Sequence, residues 1–281
     1  MKYTRLILEK EGYIATVTFN RPDSANAFDF ELMEEVDHVF RENLQQDNQV
    51  RAIILTGAGR HFSAGLDLSV FASADAQVGK DELEAGVATS RIGDQEGDAP
   101  YGKGTPLGAV IAIRTMGKPV IAAVNGPAYG MGASFALACD FRIASEKARF
   151  SMVFVKRGIG PDTAGSFTLP RIVGWPKAYE LMLTGDPVDG AEAERIGLVT
   201  KVVPHENLIS AAKELAGKIA SNPPLAVAAH KQALLHSMEE TDIIKQIKLE
   251  VELQDKLLNT EDFKEAASAF LEKREPHFKG R

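Results

Sequence analysis

Three stretches of this sequence carry residues from which chemistry could be built. In GAGRHFSAGLDLSVF (57–71) a β-rich run ends in a turn containing Gly59 and Gly65. Glycine lets backbone approach a ligand closely and exposes N–H groups as donors. VNGPAYGMGASFALACD (124–140) repeats the arrangement: a strand, a glycine-rich turn, then a helix start whose free amides favour an anionic oxygen. GIGPDTAGSFTLP (158–170) holds one ionisable side chain, Asp162, among glycine, proline, small hydroxyl residues and apolar groups. Two such turns from separate α/β units, converging on one oxygen, would make an oxyanion hole in which each donor is worth about 10²-fold or more in rate. A carboxylate beside it, stripped of water by Ile159, Pro161, Ala164 and Phe167, would have its pKa raised into a range useful for proton transfer.

Each stretch also has a plainer reading. The first is equally an ordinary strand-to-helix turn. Ser63 with Gly65 resembles a nucleophile elbow, but His61 stands where that motif needs glycine. Gly130 and Gly132 begin a dinucleotide fingerprint that Phe135 breaks. Pro161-Asp162-Thr163-Ala164-Gly165 is good turn chemistry, so Asp162 could serve as a turn or N-cap aspartate. The six histidines, at 38, 61, 205, 230, 236 and 277, form no ligand pair, which speaks against a metal site. Phe270 and Lys273 lie three apart on the last helix; taken alone, they describe a surface helix with a snorkelling lysine.

The elements that must position these groups follow from hydrophobic period. RLILEKEGYIATVTFN reads as a hairpin divided at Lys10, Glu11 and Gly12. ELMEEVDHVFRENL puts Leu32, Met33, Val36, Val39, Phe40 and Leu44 on one helical stripe, and VRAIILTG is a short buried strand. PVIAAV, ASFALAC and DFRIAS form a second strand–helix–strand unit, so a mostly parallel sheet is expected. Residues 69–105 are acidic and poor in large apolar groups, which predicts a loop or helical lid. From Trp175 the periods turn helical, with Asn222 before Pro223 and Pro224 as an expected N-cap. The expected organisation is an α/β core over 1–200 and a helical region over 201–281.

Composition narrows the function. With 281 residues and 44% hydrophobic side chains the chain can bury a large core. A formal charge of −7 argues against binding nucleic acid. The single cysteine, Cys139, fits a reducing compartment. No run approaches the roughly 20 apolar residues that span a bilayer. A cytoplasmic protein without a membrane partner is expected.

FNRPDSANAF (19–28), HFSAGLDL (61–68), KPVIAAVNGPAYGMGASFALACDFRIAS (118–145), LPRIVG (169–174), LMLTG (181–185), GLVTKVV (197–203) and SAFLEKR (268–274) together resemble the crotonase, or enoyl-CoA hydratase/isomerase, superfamily nearly end to end. The resemblance implies repeated ββα units, a C-terminal helical region that builds homotrimers or homohexamers, and an acyl-CoA thioester as substrate, with no further cofactor and no metal. It places the oxyanion donors on the backbone N–H groups of Leu66 and Met131. Many relatives carry glycine at the latter position, so Met131 implies a narrower acyl pocket. CoA contacts are implied at Ser24, Ala25, Ala64, Leu66, Asp67 and Leu68, and at Phe270 and Lys273, the last two often supplied by a neighbouring subunit.

The departures bear on the reaction. The two glutamates that handle water in the superfamily's hydratases align with Ser134 and Phe154, neither of which can act as a carboxylate base. Asp162 aligns with an acid in several isomerase branches, and GPDTAGSFTLPR is most similar to the ring-epoxide phenylacetyl-CoA isomerases. The resemblance thus implies an acyl-CoA isomerase working through a thioester enolate, with enoyl-CoA hydratase as the alternative. A 4-chlorobenzoyl-CoA dehalogenase shares the Gly-Ile-Gly-x-Asp-Thr-Ala stretch but needs a histidine where this chain has Leu107. A catalytically silent CoA-binding protein is the remaining alternative.

Overall fold

The computed structural model describes residues 1–69 and 106–281. The expected loop or lid over 69–105 therefore lies, apart from Ser69, outside the described residues. Strands β1 (Leu6–Glu11) and β2 (Ile14–Phe19) form the expected antiparallel hairpin, turning at Gly12 with φ +55°. In β2 the residues Ala15, Val17 and Phe19 are buried and their neighbours are not, the alternation of a strand with one covered face. The apolar runs of β3 (Ala52–Gly57) and β4 (Val120–Val124) are buried almost throughout, as central parallel strands require.

With β6 (Phe141–Ser145) and β9 (Lys201–Val203) they complete a six-stranded sheet in the order β1-β2-β3-β4-β6-β9, parallel except for the first pair. A second, three-stranded sheet joins β5 (Pro127–Tyr129), β7 (Arg149–Ser151) and β8 (Val188–Asp189).

Helix α1 (Phe30–His38) starts on Asp29, whose carboxylate accepts the Leu32 N–H at 2.8 Å. Its predicted apolar stripe is buried and continues through a π-helical turn over Val39–Leu44. That stripe, α2 (Pro106–Thr115) and α3 (Met131–Ala138) cover one face of the main sheet. After α4 (Gly165–Val173), α5 (Trp175–Thr184) and α6 (Gly190–Arg195), helix α7 (Leu208–Ala220) covers the other face. Leu208, Ala212, Ala216 and Ala220 recur every four residues and pack on Ile54, Ile121 and Ile143. The small side chains let the helix approach the sheet closely. The sheet thus runs past the expected boundary at residue 200, through β9, and its covering helix ends only at residue 220.

The terminal region is α8 (Pro224–Ser237), α9 (Ile243–Leu258) and α10 (Glu261–Glu272). Asn222 is not the N-cap of α8. Pro223 takes that position, and the Asn222 amide instead donates to Lys218 O at 3.1 Å, closing the end of α7. The two prolines set an extended entry into α8 without a side-chain cap. No helix among the described residues is long and apolar enough to cross a membrane.

One buried ion pair ties α8 to the sheet. Lys231 Nζ donates to Asp140 Oδ2 at 2.7 Å and to the carbonyls of Ile113 (2.7 Å) and Lys118 (3.2 Å), while Val120 N–H also donates to Asp140 Oδ2 at 2.7 Å. Burial lowers the Lys231 pKa, so the carboxylate is what keeps the ammonium charged. Asp140→Ala should therefore destabilise the protein by about 3 kcal/mol, read as a lower midpoint in urea; an unchanged midpoint would contradict this account of α8.

Candidate active site

Because β3 and β4 are parallel neighbours, the chain leaves both at the same edge of the sheet, where α/β folds build their sites. The two glycine turns emerge there side by side. The N–H groups of Phe62 and Ser63 donate to Pro127 O at 3.0 and 3.1 Å, and Tyr129 N–H donates to Ser63 O at 2.9 Å. Gly65 has φ +89°, and a methyl group on it would lie 2.6 Å from Tyr129 O and 3.2 Å from Met131 N. A methyl on Gly132 would lie 2.5 Å from Ser63 O. Glycine is needed at both positions because backbone meets backbone.

Several backbone amides of the two turns are committed to acceptors. Ala64 N–H donates to Ala25 O, Gly65 N–H to Ser63 Oγ, Asp67 N–H to Phe28 O, and Gly130 N–H to Ser151 O. Among the described residues, the N–H groups of Leu66 and Met131 have no acceptor, and neither do those of Leu68, Gly132 and Ala133. Met131 opens α3, so its amide also carries the positive end of the helix dipole.

Polar side chains hold this geometry. Asn26, at φ +54°, donates through Nδ2 to Ala58 O (2.9 Å) and His61 O (2.8 Å) and accepts from Arg21 N–H (2.8 Å). Asn125 Nδ2 donates to Gly59 O and His61 O at 3.1 and 3.2 Å. Arg21 donates to Ala27 O, and pairs with Asp29 at 3.1 Å and Asp67 at 3.0 Å. It clamps the 22–29 segment to the first turn. No local motif marks Arg21 for this role, since its partner Asp67 is far along the chain. The Asp67 carboxyl is held below its usual pKa by the Ser69 hydroxyl and Arg21.

Asp162 lies half-buried in the turn before α4. Its carbonyl accepts from Gly165 N–H at 2.9 Å, but its side chain does not cap the helix. The N-cap is Ala164, left-handed at φ +60°, and among the described residues the Asp162 carboxylate accepts only the Thr163 hydroxyl, at 2.7 Å. The carboxylate is thus not committed to the turn. Burial pushes its pKa up to about 6, against a smaller lowering by Thr163.

The turn of Asp162 is packed against α3: a methyl on Gly165 would lie 2.7 Å from Ser134 Oγ, one helical turn beyond Met131. Phe154 lies beside the second glycine turn, its ring 3.5 Å from a methyl position on Gly130. The Ser134 hydroxyl is buried and has no hydrogen-bond partner among the described residues. Beyond Phe154 and Pro161 an open apolar cavity of about 360 Å³ is walled by Val155, Ile159, Trp175 and Tyr179.

The raised pKa makes Asp162 costly to the fold. A folded-state value near 6, above the roughly 3.9 of an unfolded aspartate, favours folding below the unfolded value, and that contribution is lost as pH rises through about 6. Asp162→Asn should therefore melt about 3 °C higher than the parent at pH 8, with the gap shrinking as pH falls to 5. A gap that widens on acidification would contradict the assigned shift.

Six of the implied CoA-contact residues share one rim. Exposed Ser24 and half-buried Ala25 are joined to exposed Ala64 by the Ala64–Ala25 backbone bond, and Leu66, Asp67 and Leu68 follow in the same turn. Phe270 and Lys273 stand on the terminal helix. Phe270 is 83% exposed, and Lys273 ends α10 in the left-handed region at φ +54°.

A family model described as enoyl-CoA hydratase/isomerase matches residues 9–92 and 93–281. The chain belongs to the enoyl-CoA hydratase/isomerase family. It is 40% identical over 275 residues to the short-chain-enoyl-CoA hydratase of Clostridium acetobutylicum, covering 98% of this chain and 97% of that one. It is 35% identical over 277 residues to the 1,2-epoxyphenylacetyl-CoA isomerase of Escherichia coli, covering 96% and 97%. Among solved structures, the enoyl-CoA hydratase from Bacillus anthracis superposes with a TM-score of 0.87 at 32% identity, over 99% of this chain and all of that one.

Proposed function

We propose that this protein is an acyl-CoA isomerase that forms a thioester enolate and uses Asp162 as its one proton carrier. The observation that carries the reading is a half-buried carboxylate, uncommitted to the turn it sits in, packed beside the helix that begins with the unpartnered Met131 amide. The thioester oxygen accepts from the N–H groups of Leu66 and Met131. Asp162 removes a proton from C2 of a 3-enoyl thioester, the electron pair moves into the carbonyl, and the enolate is held by the two amides. Asp162 then returns the proton at C4, leaving a 2-enoyl thioester. With a pKa of about 6 the carboxylate is ionised at neutral pH yet basic enough to accept the proton.

Hydration of a 2-enoyl thioester is the second reading, and the names of the relatives support it better than they support isomerisation: the Clostridium acetobutylicum relative at 40% is a hydratase, and the isomerase stands at 35%. Against it stand Ser134 and Phe154, which offer water no carboxylate where hydratases of the family carry two. CoA is held along the rim of Ser24, Ala25, Ala64, Leu66, Asp67 and Leu68. The cavity beyond Phe154 takes the acyl group. The exposed apolar stripe of Ile243, Ile247 and Val251 on α9 supports assembly into a homo-oligomer.

Purified protein assayed on 3-enoyl-CoA, 2-enoyl-CoA and ring-epoxide phenylacetyl-CoA decides between the readings. Isomerisation faster than hydration is expected. Rapid hydration of the 2-enoyl ester, unaltered in Asp162→Asn, would remove the isomerase reading.

A further inference from the structure

The last eight residues double back along α10. The chain reverses at Lys273, and each following group bonds further toward the start of that helix. Arg274 pairs with Glu265 through two bonds at 2.6 and 2.9 Å, and His277 N–H donates to the same carboxylate at 2.8 Å. The N–H groups of Lys279 and Gly280 donate to the two oxygens of buried Asp262 at 2.6 and 2.8 Å, and Asp262 N–H donates to Arg281 O at 3.2 Å. Helix and tail are one unit.

That unit is fastened to the body by Arg51. Its guanidinium lies 3.8 Å from the ring centroid of Tyr13 and donates to Ala220 O at 3.2 Å and to Phe278 O at 2.7 Å. Gly280, at φ +78°, abuts Pro224, with 3.0 Å left to a methyl position. The anchor stands where β2 and β3 begin, at the end of the sheet opposite the two glycine turns. Phe270 and Lys273 are therefore held out from this chain on a braced helix, with Phe270 and Leu271 both about four-fifths exposed (83% and 79%).

We infer that the tail over 274–281 is a clasp that fixes the bearing of α10, making Arg51 and Asp262 positioning residues for a CoA contact that Phe270 and Lys273 make in a neighbouring subunit's site. The inference rests on the proposed CoA role of those two residues. Arg51 and Asp262 touch no reacting atom. Their loss loosens the aim of α10 and leaves the oxyanion turns intact.

The test is binding of free coenzyme A by calorimetry, beside deuterium exchange at C2 of saturating butyryl-CoA, on the full chain in its natural assembly. Arg51→Ala should weaken CoA binding about tenfold and Arg51→Lys less, with exchange at saturation within about twofold of the parent. Lys273→Ala should weaken binding comparably, and the double variant no further, because both changes remove one contact. Asp262→Asn, which turns a backbone-facing acceptor into a donor at the far end of the tail, should repeat the Arg51→Ala result and stands in for it if that variant does not fold. Additive losses, exchange at saturation falling as far as affinity, or full affinity in Arg51→Ala when Lys273→Ala is impaired would overturn the clasp alone. Full affinity in Lys273→Ala would overturn the CoA role of α10 and the clasp's purpose with it.

Discussion

Asp162→Asn is expected to slow deuterium exchange at C2 of butyryl-CoA by about 10³-fold, with little change in the affinity for the thioester. The amide keeps the shape of the carboxylate and its bond from Thr163 but cannot take a proton at neutral pH. Exchange rather than turnover is the informative readout because it reports enolate formation whether the product is isomerised or hydrated. In the parent enzyme the exchange rate should also fall as pH drops through about 6, where the carboxylate protonates. Exchange within a fewfold of the parent in Asp162→Asn would show that another group removes the proton.

Gly65→Ala is expected to be as damaging without touching a side chain that does chemistry. Its methyl would meet Tyr129 O at 2.6 Å and Met131 N at 3.2 Å, and the backbone at φ +89° is strained for alanine. The collision is between two main chains, neither of which can yield by rotating a side chain. The turns must part, and the proposed donors, the amides of Leu66 and Met131, part with them. A loss of at least about 10³-fold in exchange follows if both donors are displaced, with circular dichroism showing a folded chain. Near-normal exchange in folded Gly65→Ala would mean that the two amides do not share an oxygen.

What could be read ahead in the sequence was local. The hairpin at Gly12, the buried runs of β3 and β4, and the α1 stripe each follow from a hydrophobic period within a few residues, and all three are present. Asp162 was legible as a lone carboxylate among apolar neighbours. That its side chain escapes capping was not, because the cap depends on Ala164 taking a left-handed conformation that favours glycine. Asn222 misleads for a related reason: its amide finds a nearer carbonyl in the preceding helix. Pairings across long stretches of chain left no local trace. Arg21 with Asp67, and Arg51 with Phe278, join residues that only the finished sheet brings together. Spacing places Phe270 and Lys273 on one helix face, but α10 ends at Glu272 and Lys273 turns left-handed; neither could be related to the site, because α10 is anchored through contacts far along the chain.

The central claim, that one carboxylate carries a proton between two carbons of the same acyl group, has a direct isotopic test. A 3-enoyl-CoA deuterated at C2 is converted in ordinary water and the 2-enoyl-CoA product is analysed for deuterium at C4. A fraction of the label retained at C4, absent when Asp162→Asn is used, is the predicted result. Product with no label at C4, or a hydrated product carrying oxygen from solvent as the main species, would contradict it.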